Sequence, residues 1–204
     1  MRTNIEISLP DEPFAGCIFD CDGTLIHSMP VHMKAWNRSV RTFGAQFQLD
    51  PESFMEVAGV GGIDTVRHFN RRFREKIPPA QAFDLKEEIY LSLLDEVEPI
   101  DEVVAIARAM ARRYPVSVAS GGPRHVVEAA LEKTGLRSLF PVIVTQDDIT
   151  RSKPDPEIFL LAAERMGVSP AECVVFEDSP LGIDGARAAG MRTVLIPNLM
   201  AIAR

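Results

Sequence analysis

Short, continuous apolar runs alternate with amphipathic stretches along most of the chain. Five of these runs are only four to six residues long, as is typical of strands buried on both faces of a sheet, and they cover residues 15–19, 115–120, 142–145, 173–176 and 193–196. Between them, apolar residues recur at helical spacing in residues 100–113, 124–133, 156–166 and 181–189. The alternation predicts an α/β fold of the Rossmann-like, doubly wound type, with a five-stranded parallel sheet between two layers of helices.

The segment from residue 28 to residue 97 has a different pattern, because its apolar residues keep helical spacing throughout. Four helices are expected, at residues 30–43, from residue 50, at 64–74 and at 80–97, and Ser28 is a candidate cap for the first. Gly59, Gly61 and Gly62 interrupt the pattern. We therefore expect two units, an α/β core made of residues 1–27 and 98–204 and an all-helical insert of residues 28–97.

Composition and charge narrow the classes of partner. The 204 residues are 46% hydrophobic and 25% charged with a net charge of −7, which is typical of a globular protein and unfavourable for binding nucleic acid. The densest basic run, residues 67–76, is interpreted as the solvated face of a helix. No apolar run approaches the roughly 20 residues of a membrane span. Residues 1–6 contain no signal-peptide core, so we expect no membrane partner and a cytoplasmic location.

Polar side chains follow four of the five predicted strands. In chain order they are Asp20 and Asp22, Ser120, Lys153, and Glu177 with Asp178. Because the carboxyl ends of parallel strands meet at one edge of a sheet, where ligands bind, we expect these side chains to form one site. Considered one at a time, these residues have simpler explanations. Lys153 could be a surface lysine, and the glycines that follow Ser120 could form an ordinary turn. Glu177 and Asp178 could cap a helix. Their common placement favours a functional site.

The chemistry of this site follows from its residue types. Four carboxylates at one edge would repel each other, so a divalent cation is expected, and ligands that are all oxygens favour Mg²⁺ over zinc. With Lys153, Ser120 and the backbone amide of Gly121, the cation would form a receptor for a phosphoryl group. One carboxylate can attack phosphorus, while a second protonates the leaving alkoxide and later activates water. The expected partner is a small phosphorylated metabolite.

The same residues resemble the four motifs of the haloacid-dehalogenase superfamily of phosphohydrolases. Asp-Cys-Asp-Gly-Thr-Leu at residues 20–25 is similar to the first motif, and the apolar run that ends in Ser120 is similar to the second. Lys153-Pro154 resembles the third motif, and residues 175–183 resemble the fourth. The resemblance covers essentially the whole chain, with the motifs in the family's order.

This resemblance implies a role for each site residue. Asp20 would be the nucleophile and a metal ligand, and Asp22 would be the general acid and base, with its backbone carbonyl also on Mg²⁺. Asp178 would bind the metal, and Glu177 would support it directly or through water. The residues that would hold the phosphate are Ser120, Gly121 and Lys153.

The helical insert resembles the small cap of the β-phosphoglucomutase-like branch of the superfamily. His32 and Trp36, four residues apart on the first predicted helix, fit that branch and are candidate substrate contacts; packing within the insert is the alternative explanation. The glycine-rich loop at residues 59–64, which contains Gly61 and Gly62, would face the site and select the substrate.

Departures from the family pattern reduce the number of reactions that the chain is expected to catalyse. Dehalogenase members lack the second acid of the first motif and phosphonatases carry a small residue there, so Asp22 disfavours both reactions. Sugar-phosphate mutases usually place an arginine in the cap loop and a Ser-Lys-Asn sequence after the second motif. This chain instead has Gly62 and, at residues 121–124, Gly-Gly-Pro-Arg. It is closer to sugar-phosphate phosphatases such as the bacterial fructose-1-phosphatase-like proteins.

We therefore expect a Mg²⁺-dependent phosphatase that acts through an aspartyl-phosphate, with a sugar phosphate as substrate. A β-phosphoglucomutase-like phosphosugar mutase is the alternative enzyme, and a catalytically silent binding module is the alternative from another class. The sequence leaves the identity of the phosphate ester and the oligomeric state open.

Overall fold

The computed structural model describes residues 7–9 and 13–202, and a five-stranded parallel sheet forms the centre of this part of the chain. The strands are, in chain order, β1 (Gly16–Phe19), β2 (Ile26–His27), β3 (Glu98–Pro99), β4 (Val116–Ala119), β5 (Val142–Val144), β6 (Cys173–Glu177) and β7 (Arg192–Leu195). The sheet has the order β5-β4-β1-β6-β7, and all neighbouring pairs are parallel. The predicted α/β class is confirmed. Residues 1–6, to which the signal-peptide argument applied, lie outside the described residues.

Helices cover both faces of this sheet. In the described part of the chain they are α1 (Met29–Thr42), α2 (Pro51–Met55), α3 (Gly62–Phe73), α4 (Pro79–Ser92), α5 (Asp101–Ala111), α6 (Arg124–Lys133), α7 (Glu157–Met166), α8 (Pro180–Ala188) and α9 (Leu199–Ile202). Successive side chains of a strand point to opposite faces. Cys17 and Phe19 therefore pack in the core beneath α5 and α6, whereas Ile18 packs in the core beneath α7 and α8. This arrangement confirms the doubly wound fold.

The segment between β2 and β3 is helical, as expected. Helices α1 to α4 surround an apolar cluster of their own, in which Trp36, Phe54 and Phe69 are buried. Two bounds in this segment differ from the prediction by two residues or more. Helix α4 ends at Ser92 and is followed by a short 3₁₀ helix instead of continuing to residue 97. Helix α3 begins at Gly62, because the chain is extended at the preceding residue and enters the helix there without a further loop.

Strands β2 and β3 form a two-stranded antiparallel ribbon that the sequence analysis did not predict. Ile26 pairs with Pro99 and His27 pairs with Glu98. Two residues per strand are too few to produce an alternating pattern, so no sequence signal marks them. The ribbon joins the two connections between the sheet and the helical segment. The predicted unit boundaries at residues 27/28 and 97/98 lie on it, and the division into units stays a prediction.

The basic run of residues 67–76 lies largely on α3, as interpreted from the sequence. Phe69 is buried, whereas Arg67, Arg71 and Arg72 are exposed. The arginines therefore form the solvated face of an amphipathic helix. Among the helices of the described residues, none combines the length and the apolar character needed to cross a membrane.

Candidate active site

The carboxyl ends of three adjacent strands bring most of the predicted site residues together. Asp20 directly follows β1 and Ser120 directly follows β4, while Glu177 is the last residue of β6 and Asp178 comes next. Because β4, β1 and β6 are neighbours in the sheet, these side chains meet at one edge. Lys153 reaches the same edge from the loop between β5 and α7. All five residues are at most 7% exposed, which excludes the surface-lysine interpretation of Lys153.

The ammonium of Lys153 joins two of the acids. Its Nζ donates to Asp20 Oδ1 and to Glu177 Oε2, at 2.7 Å in each case, and to the Ala119 carbonyl at 3.2 Å. Burial by itself would lower the pKa of Lys153, but the charges of Asp20 and Glu177 outweigh it and raise that pKa. The lysine therefore stays protonated, and it fixes the orientation of the Asp20 carboxylate.

Three carboxylates converge beside this lysine. Asp20, Glu177 and Asp178 offer oxygens that all lie within 4.8 Å of one another. Burial, together with the charge of Glu177, raises the pKa of Asp20 to about 8. Burial and the charge of Asp20 likewise raise the pKa of Asp178. One ammonium is too little positive charge for three buried carboxylates, so the cluster fits a small, hard cation with oxygen ligands.

Two glycines allow the carboxylates to lie against the backbone. A Cβ atom on Gly23, whose φ is +88°, would lie 2.3 Å from Asp178 Oδ2, and one on Gly182 would lie 2.0 Å from Glu177 Oε2. Ser179 donates from its amide and its hydroxyl to Glu177 Oε1, at 3.0 and 2.8 Å. The sequence placed both glycines only within motifs, because the Gly23–Asp178 contact joins distant parts of the chain and the Gly182–Glu177 contact depends on how the chain turns from β6 into α8.

Asp22 is not one of the three convergent acids, and its carboxylate contacts two residues at the start of the insert. Its Oδ1 accepts a hydrogen bond from Ser28 Oγ at 2.6 Å and lies 2.9 Å from His32 Nε2. Burial by itself would raise the pKa of Asp22, but the charge of His32 and the hydrogen bonds from His32 and Ser28 lower it to about 2. Ser28 occupies the N-cap position of α1, as predicted, but its side chain makes no capping bond to the helix and its hydroxyl binds Asp22 instead. The predicted contact of the Asp22 carbonyl with a metal stays a prediction.

A cavity of about 140 Å³ lies between this edge of the sheet and the helical insert. Asp20, Ser120 and Gly121 line it on the sheet side. The amide of Gly122 donates to Ser120 Oγ at 3.2 Å. Apart from the two chain neighbours of Gly121, no heavy atom of the described residues lies within 4 Å of the position that a Cβ on Gly121 would take. This turn leaves room for an anion beside a hydroxyl and a backbone amide.

Three of the four predicted insert residues reach the cavity. His32, Trp36 and Gly62 line it, whereas Gly61 is not part of its lining. A Cβ atom on Gly62 would lie 2.1 Å from Phe83 Cε2, so a glycine is required for the ring to pack there. Packing against Phe83 therefore explains the glycine at this position, and the role of the loop in selecting the substrate stays a prediction.

Sequence analysis missed two charged residues of the cavity, Lys86 and Glu87 on α4. They are 4% and 6% exposed, and Lys86 Nζ donates to Glu87 Oε1 at 2.9 Å. The Lys86 ammonium also lies 5.5 Å from the Trp36 ring centroid and 5.4 Å from that of Tyr90. Adjacent charges on an amphipathic helix normally face solvent, so no signal in the sequence marked this pair as buried.

A carboxylate held by a buried lysine, and three acids that could hold a cation, thus lie at the carboxyl edge of a Rossmann-like sheet, where such sheets bind their ligands. The family model for haloacid dehalogenase-like hydrolases matches residues 14–190. The chain therefore belongs to the haloacid dehalogenase-like hydrolases.

Named relatives agree with this assignment. Fructose-1-phosphate phosphatase YqaB of Escherichia coli is 38% identical over 184 residues, which are 90% of this chain and 96% of the relative. Hexitol phosphatase A of the same organism is 30% identical over 89% of this chain and 82% of its own. Among solved structures, a CbbY variant from Rhodobacter sphaeroides in complex with xylulose-(1,5)bisphosphate is 27% identical. It covers 92% of this chain and 88% of its own, with a TM-score of 0.81.

Proposed function

We propose that this protein is a Mg²⁺-dependent phosphatase that hydrolyses a sugar phosphate through an aspartyl-phosphate on Asp20. The observation that carries the proposal is the Asp20 carboxylate, which lines the cavity while Lys153 Nζ holds it at 2.7 Å. Ser120 and Gly121 line the same side of the cavity, where a phosphoryl group would lie against Asp20. A carboxylate fixed in this way is arranged for nucleophilic attack rather than for a structural role.

The metal ligands in this proposal are Asp20, Asp178 and the backbone carbonyl of Asp22, with Glu177 in a supporting position. Their convergence, and the deficit of positive charge around them, support a cation with oxygen ligands. When bound, Mg²⁺ would screen the phosphate from the carboxylates and polarise its oxygens. Lys153 would bind a phosphoryl oxygen in addition to orienting Asp20.

The reaction has two displacements at phosphorus. In the first, an oxygen of Asp20 forms a bond to phosphorus as the bond to the ester oxygen breaks, and the leaving alkoxide takes up a proton. In the second, water gives up a proton and attacks phosphorus, which releases phosphate and restores the Asp20 carboxylate. The two steps together need a group that donates a proton in the first and accepts a proton in the second.

We assign this proton transfer to Asp22 together with His32. With its pKa at about 2, Asp22 is ionised in the arrangement described, which suits the step that activates water. The step that protonates the alkoxide needs a proton on the pair, and the separation of 2.9 Å between Asp22 Oδ1 and His32 Nε2 allows the two residues to share one. The insert would thereby contribute to the chemistry as well as to substrate binding.

The proposed substrate class rests on the relatives and on the position of the insert. Two named relatives are phosphatases of fructose 1-phosphate and of hexitol phosphates. In this chain the helical insert lines the cavity across from the sheet edge and supplies His32 and Trp36 to it. We propose that residues 28–97 act as a cap unit that moves on the β2–β3 ribbon to admit the substrate.

A phosphate-release screen over sugar phosphates, hexitol phosphates and other small esters tests the proposal. We expect release from one or more sugar or hexitol phosphates with Mg²⁺ present, and its loss when a chelator removes the cation. Absence of release from every ester, or equal release with and without the cation, would contradict it.

A phosphosugar mutase is the second candidate, because the CbbY neighbour holds a sugar bisphosphate. A mutase must bind a second phosphate at the far side of the sugar. It predicts that isomerised sugar phosphate exceeds free phosphate when a bisphosphate activator is supplied, and exclusive hydrolysis would remove this candidate.

A further inference from the structure

The buried Lys86–Glu87 pair lies on the insert side of the cavity, across from the phosphate end. Both residues line the cavity, and Lys86 Nζ is 2.9 Å from Glu87 Oε1. The side chains of the pair are 6% and 8% exposed, so its charges are kept from bulk water. The structural role of the pair is limited, because a buried ion pair contributes little net stability compared with apolar residues of the same size.

One carboxylate oxygen of this pair receives no hydrogen bond from the described residues. Glu87 Oε1 binds Lys86, whereas Glu87 Oε2 is a buried side-chain oxygen with no hydrogen-bond partner among the described residues. A buried carboxylate oxygen without a donor is unfavourable, so the group is expected to meet a donor when the cavity is filled. A carboxylate oxygen only accepts hydrogen bonds, and its partner must therefore be an O–H or N–H group.

We propose that Glu87 is a specificity-determining residue whose Oε2 accepts a hydrogen bond from a hydroxyl of the substrate. Since Glu87 balances the charge of Lys86, the pair presents no net charge to the substrate. The insert end of the cavity therefore selects a neutral, hydroxylated chain and disfavours a second phosphoryl group, which would meet the carboxylate. The inference rests on the proposed function for the phosphate end, and it narrows the substrate to monophosphates that carry a hydroxyl on the part that faces α4.

The selection acts on binding, so it can be measured without turnover. Asp20→Asn protein loaded with Mg²⁺ is titrated by calorimetry with a hexitol monophosphate, with hexyl phosphate and with a hexitol bisphosphate. Hexitol monophosphate and hexyl phosphate have the same phosphate and the same chain length, but only the hexitol carries hydroxyls. The bisphosphate has the hydroxyls and a second phosphoryl group. We expect the hexitol monophosphate to bind at least ~10-fold more tightly than either of the others.

The variant Glu87→Gln, made on the same Asp20→Asn background, removes the charge and keeps the shape. It should reduce the preference for hexitol monophosphate over hexyl phosphate by ~10-fold, because a charge-assisted hydrogen bond becomes a neutral one. It should also tighten bisphosphate binding by ~10-fold, because the charge of Lys86 is no longer balanced. The matched control is Glu88→Gln, which removes the same charge from an exposed position of the same helix and should leave both ratios unchanged.

Two results would overturn the assignment. One is a Glu87→Gln variant that changes the affinities of all three ligands by the same factor, as a general loss of structure would. The other is an Asp20→Asn parent protein that binds hexyl phosphate or the bisphosphate as tightly as the hexitol monophosphate. Failure of the phosphatase proposal has a separate signature, namely that the unmodified protein releases phosphate from no ester.

Discussion

Lys153 is the residue whose charge balances the acid cluster, since its Nζ contacts both Asp20 and Glu177 at 2.7 Å. Lys153→Met would leave three buried carboxylates without a protein cation. We expect the free energy of unfolding to fall by about 3–5 kcal/mol in the absence of divalent ions, and part of the loss to return when Mg²⁺ is added. Urea unfolding with and without Mg²⁺ measures this. Lys76→Met, at an exposed position, is the control, and an equal loss in both variants would contradict the charge-balance argument.

Gly62 is constrained by the ring of Phe83, whose Cε2 would lie 2.1 Å from an added Cβ. Gly62→Ala should therefore lower the free energy of unfolding by about 1–3 kcal/mol through overpacking. Gly121→Ala is the control for stability, because a Cβ there would meet no heavy atom within 4 Å in the described part of the chain beyond its two neighbours in sequence. A second change, Phe83→Leu, made in the Gly62→Ala background, should restore part of the lost stability because the leucine leaves room for the added methyl group. Equal stability of the two alanine variants would show that Phe83 moves aside without cost.

Site residues were predictable where a strand ended in a polar group. Asp20, Ser120 and Asp178 follow buried apolar runs, and parallel topology brings such positions to one edge. Lys86 and Glu87 were not predictable, because local pattern cannot distinguish a charged pair that faces a cavity from one that faces solvent. Gly61 was predicted to contact the substrate because it lies in the glycine-rich loop, but it does not line the cavity. Residues of a loop do not alternate between two faces, so the sequence does not indicate which of them face a cavity.

At the scale of elements, Asp148 connects the end of β5 to two helices. Its carboxylate accepts hydrogen bonds from the Thr145 amide at 2.9 Å, from Arg124 at 2.6 Å and from Arg165 at 2.9 Å. Arg124 begins α6 and Arg165 lies in the last turn of α7. Burial would raise the pKa of Asp148, but these hydrogen bonds and charges outweigh it and lower the pKa from 3.8 to about 2.

This lowered pKa gives the stability a defined pH dependence. A carboxyl group whose pKa is lower in the folded state stabilises above its unfolded pKa of about 4, and the contribution is lost as the pH falls towards 2. Asp148→Asn should therefore cost about 1–2 kcal/mol at neutral pH and flatten the stability curve between about pH 4 and pH 2. Unfolding followed across this range checks it against Asp184→Asn, an exposed control. Parallel curves for the protein and Asp148→Asn would refute the coupling.

The main elements were predictable because each strand is an apolar run bounded by polar residues or glycine. Predicted and observed strands agree to within one or two residues, as for 193–196 against Arg192–Leu195. The ribbon of β2 and β3 was not predictable, because its two-residue strands exist only through tertiary pairing. Helix α3 begins earlier than predicted, because glycine tolerates the start of a helix as well as a loop.

At the scale of the whole molecule, the sheet and the insert enclose the cavity together. The loop before α3 reaches the sheet side, where a Cβ on Gly59 would lie 3.1 Å from Ser179 Oγ. Inorganic phosphate and Mg²⁺ together should occupy the space between them and stabilise the fold. At ligand concentrations near 100 times Kd the gain is about 2.7 kcal/mol, or roughly 5–10 °C in Tm for a chain of this size.

This expectation is checked by measuring Tm by differential scanning calorimetry with phosphate alone, with Mg²⁺ alone and with the two together. The combined shift should exceed the sum of the separate shifts, because the cation reduces the repulsion between phosphate and the carboxylates. Asp178→Asn should lose the combined effect. A shift produced equally by phosphate alone would contradict the shared site.

The aspartyl nucleophile is tested most directly by the rate of phosphate release from the best ester of the screen, measured for Asp20→Asn and Asp184→Asn beside the unmodified protein. Both variants replace one carboxylate by an amide, but only Asp20 lies in the cavity. An amide oxygen cannot replace the carboxylate in attack on phosphorus, so we predict a loss of at least ~10³-fold for Asp20→Asn and an unchanged rate for Asp184→Asn. Turnover of Asp20→Asn at the rate of the unmodified protein would contradict the nucleophile and the mechanism built on it.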